Sequence, residues 1–195
     1  MTLKSIYNTL MLKYLKMRFG FIRGKGVHMI GNITIDVTTV IGDYCTLLAG
    51  VGGSITIKAS VSIGRDAWIA AGDGEIDIGE ECLMGPRVTI VAQNHATVDL
   101  SEQSYLPWDR DGAPSKTIIG RRCHIGAGAV ILPGSVIGDY SQIAANAVVA
   151  GKFDQGALIF GYPAKTIIRS KIPSGLPDEP FKGLQPFQHT SRRFY

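Results

Sequence analysis

The sequence predicts an all-β protein, a parallel β-helix in which each six-residue repeat forms one short strand and its corner. The first observation is a row of aliphatic residues at intervals of six, namely Ile119, Ile125, Ile131, Ile137, Ile143 and Val149. The second is a small residue four positions after each of the first five, namely Cys123, Ala129, Ser135, Ser141 and Ala147. Neither a helical period of 3.6 nor a two-residue strand alternation gives this spacing, whereas a hexapeptide period is typical of a β-helix.

The same period organises most of the chain and divides it into three parts. It begins near Met29, slips at Gly50–Gly53 and again at Gly72 and Gly74, and is most regular over 119–151. Such slips predict short insertions at the corners of the solenoid. We therefore expect a capping helix and lead-in at 1–28, a β-helix at 29–169, and an extended tail with four prolines at 170–195.

The N-terminal segment has a helical pattern and a strong positive charge. Residues 2–19 carry an apolar stripe, made of Leu3, Ile6, Tyr7, Leu10, Met11 and Tyr14. Residues 1–26 hold six basic residues and no acidic ones, whereas the whole chain has a net charge of +4. We expect this helix to cap the open end of the solenoid. Its basic, aromatic composition also allows weak contact with the inner surface of a membrane.

Composition excludes several classes of protein. The 195 residues are 45% hydrophobic and 18% charged, which fits one well-packed domain. Because Cys45, Cys82 and Cys123 all occupy the small position of a repeat, we expect buried thiols and no disulfides. The sequence contains no P-loop and no Gly-x-Ser-x-Gly motif. With no signal peptide and no apolar run long enough to span a bilayer, the expected location is the cytoplasm. No basic surface in the body of the chain suggests nucleic-acid binding.

The repeats are interrupted once by a long polar segment, residues 92–116. A loop of this length inside a compact repeat array is uncommon and usually functional. His95 lies at its start, where a side chain can be held by the last strand and still meet a substrate. Because imidazole titrates near neutral pH, His95 is a candidate general base. The length of the loop favours this interpretation over an ordinary loop histidine.

The repeats and two further motifs resemble the hexapeptide-repeat acyltransferases, in the branch of galactoside and maltose O-acetyltransferases and xenobiotic acetyltransferases. The similarity lies in the hexads IGAGAV, ILPGSV, IGDYSQ and IAANAV, in FGYPAKTI, and in IGEECLMGPRVTIVAQNH at 78–95. It implies a left-handed β-helix and a homotrimer with active sites between subunits. It also implies acetyl-CoA as the co-substrate and His95 as the general base, with Asn94 orienting the acceptor or the loop.

The resemblance also assigns residues to the two substrates. The pantetheine arm of CoA would lie along Gly126, Ala127, Gly128, Ala144 and Ala145, with an oxyanion bound by N–H groups near Ala127. Its phosphates would meet Lys165 and Arg169, while Lys152 is either a further contact or a solvated charge. Asp99 could bind sugar hydroxyls, orient His95 or be solvated, and Tyr105 and Trp108 could stack on a sugar or fix the loop. His124 stands where many relatives have tryptophan, and we assign it no role.

The leading hypothesis is a CoA-dependent O-acetyltransferase that acts on a sugar hydroxyl in surface polysaccharide or lipopolysaccharide biosynthesis. The alternative is an N-acetyltransferase that acts on a nucleotide-linked amino sugar or an antibiotic, because one histidine can serve either acceptor. A zinc hydratase on the same solenoid would need three converging histidines, and His28, His95, His124 and His189 include no close pair near His124, so no metal is expected. A non-catalytic scaffold would not need both Asn94–His95 and the GYPAK turn.

Overall fold

The computed structural model describes residues 21–94 and 114–169. In these ranges the chain forms short strands and no helix, and three sheets surround one core. No helix in the described ranges is long and apolar enough to cross a membrane. The helix predicted at 2–19, most of the long loop and the tail from residue 170 lie outside the described residues.

The strands are distributed over three sheets, which the chain visits in turn, and all neighbouring strands are parallel except the last two. Sheet A contains β1 (Ile22–Arg23), β4 (Val40–Ile41), β7 (Ser62–Ile63), β10 (Leu83–Met84), β13 (His124–Ile125), β16 (Gln142–Ile143), β19 (Ala157–Gly161) and β20 (Ala164–Arg169). Sheet B contains β2 (His28–Ile30), β5 (Thr46–Ala49), β8 (Trp68–Gly72), β11 (Thr89–Val91), β14 (Val130–Ile131) and β17 (Val148–Val149). Sheet C contains β3 (Ile33–Ile35), β6 (Ser54–Ile57), β9 (Glu75–Ile78), β12 (Lys116–Ile119), β15 (Val136–Ile137) and β18 (Lys152–Phe153).

The six-residue period becomes a stack of aliphatic side chains inside the solenoid. Ile119 pairs with Ile137, 18 positions later, so three hexads complete one turn in the regular part of the chain. Ile125 and Ile131 are fully buried, as are the equivalent residues of the coils below. Because each anchor packs on the anchor of the next coil, the core is continuous along the helix axis. The prediction of a parallel β-helix of hexapeptide repeats is therefore confirmed.

The small residues of the repeats occupy the tight inner corners. Cys45, Cys82 and Cys123 are buried free thiols, as predicted. A hydrogen bond with Cys123, together with burial, raises the pKa of Cys82. The hydroxyl of Ser141 is also buried, and it donates to the Gly138 carbonyl at 2.7 Å. A polar residue is tolerated in this position because its hydroxyl finds a backbone partner.

Two predicted boundaries differ from those of the structure. β1 pairs with β4 through Ile22 and Val40, so the solenoid begins before the expected start at Met29. Lys116 opens β12, so the loop predicted to end at 116 ends one residue earlier. In β1 the anchor position is occupied by Arg23, which pairs with Ile41, and β12 begins three residues before its anchor Ile119. Only pairing with a neighbouring coil reveals these strand residues.

Candidate functional site

Each turn of the solenoid has three corners, which we name by the sheets that they join in chain order. The AB corner follows a strand of sheet A, the BC corner follows sheet B, and the CA corner follows sheet C. Several corner residues adopt the left-handed conformation, including Arg122, Tyr140 and Asn146, with φ of 55°, 60° and 58°. These residues carry side chains where glycine is usually preferred, and the stacking of the coils holds them there.

The residues predicted to hold the donor come together at the AB corner. Because β13 pairs with β16, residues 126–128 of one coil lie against residues 144–146 of the next. A Cβ added to Gly126 would collide with the backbone nitrogen of Ala145. The main reason for glycine at position 126 is therefore the close approach of the two coils. The expectation that Gly126 serves only to expose its backbone to a ligand is incomplete.

Some backbone N–H groups at this corner donate hydrogen bonds within the protein, and others do not. Those of Gly126, Gly128 and Ala144 donate within the solenoid, to carbonyls at 2.8, 2.9 and 2.8 Å. Within the described residues, the N–H groups of Ala127 and Ala145 have no acceptor. Ala145 is exposed and Ala127 is half-buried. Two N–H groups on neighbouring coils can therefore meet an oxygen atom of a ligand.

At two other corners, the equivalent N–H group is capped by an aspartate of the next coil. The Arg121 N–H donates to Oδ1 of Asp139 at 2.9 Å, and the Lys25 N–H donates to Oδ1 of Asp43 at 2.8 Å. Next to Ala127, the corresponding residue of the following coil is Ala145, which has no side-chain oxygen. Sequence reasoning missed this contrast, although the difference between Asp139 and Ala145 at the second corner position could have revealed it.

The CA corner nearby is filled by charged and aromatic side chains. Arg122 Nε lies 2.5 Å from Oε2 of Glu81, and their side chains are only 14% and 17% exposed. This hydrogen bond raises the pKa of Arg122. The guanidinium groups of Arg121 and Arg122 lie 5.5 and 5.8 Å from the centre of the Tyr140 ring. The cluster joins the coil before the long loop to the coils after it, so its role is to hold the solenoid together.

The long loop leaves and re-enters the solenoid at one BC corner. The Ser115 hydroxyl donates to the Ala92 carbonyl at 2.6 Å, and the Thr117 hydroxyl donates to the Val91 carbonyl at 2.9 Å. Asn94 is exposed at the end of the described range. His95, Asp99, Tyr105 and Trp108 lie outside the described residues.

The predicted phosphate contacts lie on or near the terminal hairpin. β19 and β20 pair antiparallel, with exposed Lys165 opposite Phe160 and with Arg169 opposite Ala157. The Ala144 N–H donates to the Ile159 carbonyl at 2.8 Å, so the hairpin extends the AB corner by one rung. Lys152 lies in β18, on sheet C, and the structure does not bring it to the hairpin.

Two further observations concern histidines and metals. His124 is exposed on the outer face of sheet A, between Leu83 and Gln142 of the neighbouring strands. The described part of the chain contains no group of three His, Cys, Asp or Glu residues placed to hold a metal ion. Residues 126–128 and 144–146 thus offer N–H donors to a ligand and include no ionisable side chain.

Comparison with known sequences identifies the repeats. Residues 116–151 match the family described as bacterial transferase hexapeptide (six repeats). This segment of the chain therefore carries the repeats of the hexapeptide-repeat transferases. Among curated proteins it is similar to the putative lipopolysaccharide biosynthesis O-acetyl transferase WbbJ of Escherichia coli K12, with 32% identity over 119 residues. It is also similar to a serine acetyltransferase of Helicobacter pylori, with 33% identity over 117 residues.

These matches are partial in length. They cover 59% and 60% of this chain and span 60% and 63% of the two relatives. Among solved structures, AntD, an N-acyltransferase from Bacillus cereus crystallised with dTDP and coenzyme A, superimposes with a TM-score of 0.64. The match covers 82% of this chain and 89% of AntD at 22% identity, and it establishes a common fold.

Proposed function

We propose that this chain is a hexapeptide-repeat transferase, a CoA-dependent acyltransferase that transfers an acetyl group from acetyl-CoA to a sugar hydroxyl. The observation that carries the proposal is the pair of unused N–H groups at Ala127 and Ala145, which lies inside the family match. The E. coli relative named as an O-acetyl transferase of lipopolysaccharide biosynthesis supports the oxygen acceptor and a role in surface polysaccharide biosynthesis. A left-handed winding of the solenoid is part of the same proposal.

In the proposed reaction, His95 is the general base. Its imidazole takes the proton of the acceptor hydroxyl while that oxygen attacks the thioester carbonyl carbon. The Ala127 N–H then stabilises the oxyanion of the tetrahedral intermediate, because an N–H already in place costs no reorganisation. The carbon–sulfur bond breaks, the acetyl ester leaves with the acceptor, and the imidazolium returns its proton to the thiolate. Asn94 orients the acceptor or the loop.

The donor is proposed to run along the AB corner toward the hairpin. Gly126, Gly128 and Ala144 keep this corner free of long side chains, and Ala145 offers a second N–H to the pantetheine amides. Lys165, which is exposed one rung beyond, is positioned to meet the phosphates, and Arg169 is proposed to assist it. Several structures with this fold were crystallised with coenzyme A or 3-hydroxybutyryl-CoA, which supports a CoA thioester as the donor.

The acceptor is proposed to bind beside the long loop, where Asp99, Tyr105 and Trp108 would contact it. The second candidate function is N-acylation of a nucleotide-linked amino sugar. It is favoured by AntD, which was crystallised with dTDP-4-amino-4,6-dideoxyglucose and coenzyme A. The same imidazole would then take a proton from an amine, so the two functions differ in the acceptor alone.

We further propose a homotrimer with sites between subunits. Within one coil, Arg87 at the AB corner and Ala92 at the BC corner lie at opposite ends of β11. Five residues of extended chain separate them, or roughly 16 Å. A second copy that presents its AB corner beside the loop would shorten the distance between His95 and a donor. The protein is proposed to be cytoplasmic, with the basic segment 1–26 making weak contact with the inner membrane surface.

The function is tested in two steps with the full chain. First, thermal unfolding is followed with and without acetyl-CoA. A ligand at 100 times its dissociation constant adds about 2.7 kcal/mol, which raises the unfolding midpoint of a chain of this size by roughly 5–10 °C. Then thiol release from acetyl-CoA is measured with a panel of sugars, nucleotide sugars and amino sugars, for the wild type and for His95→Ala.

The outcomes separate the parts of the proposal. Saturable stabilisation by acetyl-CoA and transfer to a hydroxyl, lost in His95→Ala, support the full proposal. Transfer to an amine alone selects the second candidate. No stabilisation at millimolar acetyl-CoA overturns the donor assignment, and a His95→Ala variant with full activity overturns the base. Light scattering in the same buffer decides between a trimer and a monomer.

A further inference from the structure

An exposed arginine lies beside the two available N–H groups of the AB corner. Arg87 belongs to the coil that precedes the coil of Ala127, because the Gly128 N–H donates to the Pro86 carbonyl at 2.9 Å. The Arg87 N–H donates to the Arg65 carbonyl at 2.8 Å, so its backbone is held by the stack of coils. Its side chain has no hydrogen-bond or ion-pair partner among the described residues. The Arg87 guanidinium is therefore available to a ligand at this corner.

The third position of the AB corner is Asp66, Arg87, Gly128 and Asn146 on four successive coils. Because Gly128 has no side chain, the Arg87 guanidinium can extend across its coil toward the Ala127 N–H. The Asn146 side chain approaches Gly128 from the other side, since a Cβ at Gly128 would meet its Oδ1. On the coil before Arg87, Oδ2 of Asp66 already pairs with Nε of Arg65 at 3.0 Å. A ligand over Gly128 would thus meet a free guanidinium on one side and an amide on the other.

The two available N–H groups separate this arginine from the cation proposed for CoA. From Ala145 the stack continues to the hairpin, where Lys165 is exposed and is proposed to meet the CoA phosphates. In the opposite direction it continues from Ala127 to Arg87. Since neighbouring coils are about 4.8 Å apart, Arg87 is one coil from Ala127 and about 14 Å from the rung of the hairpin. A donor with its phosphates at the hairpin therefore directs its acetyl end toward Arg87, where the acceptor must approach.

The chemistry of the side chain indicates which acceptor fits. A guanidinium binds a phosphate group through two parallel, charge-assisted hydrogen bonds, whereas a neutral hydroxyl offers no opposite charge. We propose that Arg87, with the amide of Asn146 beside it, binds a phosphate group of the acceptor. The preferred acceptor is then a sugar joined to phosphate or diphosphate, in a nucleotide-linked or a lipid-linked form, and a neutral sugar is a poor substrate. This inference rests on the proposed function and names the class of its acceptor.

Three variants of the full chain test the proposal. Arg87→Gln removes the charge and keeps a long polar side chain at the same exposed position. Arg87→Lys keeps the charge and removes the planar fork, so it should retain part of the binding. Arg65→Gln is the matched control, because it removes an exposed arginine from the adjacent coil, where Asp66 already pairs with it. The control changes the net charge by the same amount as Arg87→Gln.

The first measurement needs neither the acceptor sugar nor acetyl transfer. Thermal unfolding is followed as inorganic diphosphate is added in the presence of excess CoA, which occupies the donor site. We expect diphosphate to raise the unfolding temperature of the wild type and of Arg65→Gln with the same dose dependence. In Arg87→Gln the apparent dissociation constant of diphosphate should rise by about tenfold or more, because a hydrogen-bonded charge is lost. Arg87→Lys should lie between the wild type and Arg87→Gln.

The second measurement compares forms of one sugar in the acetyl-transfer assay. The forms are the methyl glycoside, the 1-phosphate, the nucleotide-linked sugar and the same sugar on a diphosphate with a short prenyl chain. The phosphate-bearing forms should have a kcat/KM about tenfold or more above that of the methyl glycoside. Arg87→Gln should remove this advantage through KM for the acceptor, while KM for acetyl-CoA stays within about twofold. The better of the nucleotide-linked and prenyl-linked forms identifies the source of the phosphate.

The opposite results are equally specific. The proposal is overturned if diphosphate does not stabilise the wild type, or if it stabilises Arg87→Gln just as strongly. An equal loss in Arg65→Gln also overturns it, and a higher KM for acetyl-CoA in Arg87→Gln would assign this arginine to the donor instead. Failure of the proposed function is visible separately, as the absence of stabilisation by acetyl-CoA. The diphosphate titration still decides in that case whether Arg87 binds a phosphate group.

Discussion

The CA corner at Arg121 and the AB corner at Ala127 have the same backbone conformation and different chemistry. At the CA corner, the second residue of the turn is Arg121, and Asp139 of the next coil caps its N–H and pairs with its guanidinium. At the AB corner, six residues later, the second residue is Ala127, and the next coil offers Ala145. A glycine precedes both residues, Gly120 in one case and Gly126 in the other, because the coils approach equally closely.

The difference between these two corners shows that the same backbone turn can either stabilise the contact between coils or leave an N–H without an acceptor. At Arg121 and Lys25, the N–H at the second corner position is satisfied by an aspartate on the next coil. Where the aspartate is present, the corner stabilises the contact between coils. Where alanine replaces it, the N–H is left for a ligand, and the neighbouring coils supply no competing side chain.

The largest effect is expected from a variant that introduces at the AB corner the kind of aspartate that accepts an N–H at the CA corner. In Ala145→Asp, the new carboxylate should accept the Ala127 N–H as Asp139 accepts that of Arg121, with the space provided by Gly126. The occupied N–H and the added negative charge should weaken acetyl-CoA binding by about 100-fold, because a like charge placed beside an anionic ligand costs several kcal/mol. Isothermal titration of acetyl-CoA into the wild type and the variant measures the effect.

The control for this experiment is Ala145→Asn, which has the same shape and no charge. We expect it to bind acetyl-CoA with an affinity between those of the wild type and Ala145→Asp. The unfolding temperature without ligand should be unchanged or slightly raised, since the cap adds a hydrogen bond between coils. If Ala145→Asp binds acetyl-CoA as the wild type does, the donor does not use the Ala127 N–H and the comparison of the two corners has no functional meaning.

The next test removes the ion pair of the CA corner. Glu81→Ala leaves the Arg122 guanidinium, which is only 14% exposed, without its carboxylate. We expect a loss of about 2 kcal/mol in the free energy of unfolding, below the 3–5 kcal/mol typical of fully buried pairs. This corresponds to a fall of roughly 4–8 °C in the unfolding temperature. Calorimetry at a single protein concentration measures it, while acetyl-CoA affinity should stay within about twofold of the wild type.

Its control is the double variant Glu81→Leu with Arg122→Met. Replacing both charges by apolar groups removes the uncompensated cation, so a large part of the stability should return. A Glu81→Ala variant that keeps its stability but loses acetyl-CoA affinity would assign the CA corner to the functional site. That result would contradict the separation of the two corners.

The sequence predicted the solenoid well because one physical rule repeats along it. A strict period of six places every sixth aliphatic residue inside, and Ile125, Ile131 and Ile137 are all buried as expected. The three buried thiols follow from the same rule. The start at Ile22 was missed because β1 has a partner in β4 and no hexad of its own preceding it.

The candidate site could be predicted only in part. Resemblance brought Gly126, Ala127 and Ala145 into one group, and the structure places them on adjacent coils. Which N–H groups are free could not be read from the residues, because it depends on the register between coils. The hydrogen bond from the Asp73 N–H to the Gln93 side chain was also missed, since it joins backbone and side chain 20 residues apart. The roles of His95, Asp99, Tyr105 and Trp108 remain predictions.

The smallest expected effect concerns a titrating cap at the CA corner. The Thr38 hydroxyl donates to Oδ1 of Asp36 at 2.6 Å, and the Thr38 N–H donates to the same atom at 2.8 Å. Both bonds lower the pKa of Asp36 from its ordinary value of 3.8, and the side-chain bond has the larger effect. A pKa that is lower in the folded than in the unfolded chain stabilises the protein above the unfolded pKa. That stabilisation is lost as pH falls through the folded pKa.

Thr38→Val removes the larger of these two bonds, so its cost in unfolding temperature should be greater at pH 7 than at pH 3. A residual difference at pH 3 is expected, because the Ser60 N–H also loses its acceptor, and that bond does not titrate. Thr38→Ser keeps the hydroxyl and should show no pH-dependent difference from the wild type. An equal loss for Thr38→Val at both pH values would mean that Asp36 does not contribute through its charge. The AB corner has no carboxylate at 126–128 or 144–146, so neither its N–H groups nor their availability to a ligand should change over this pH range.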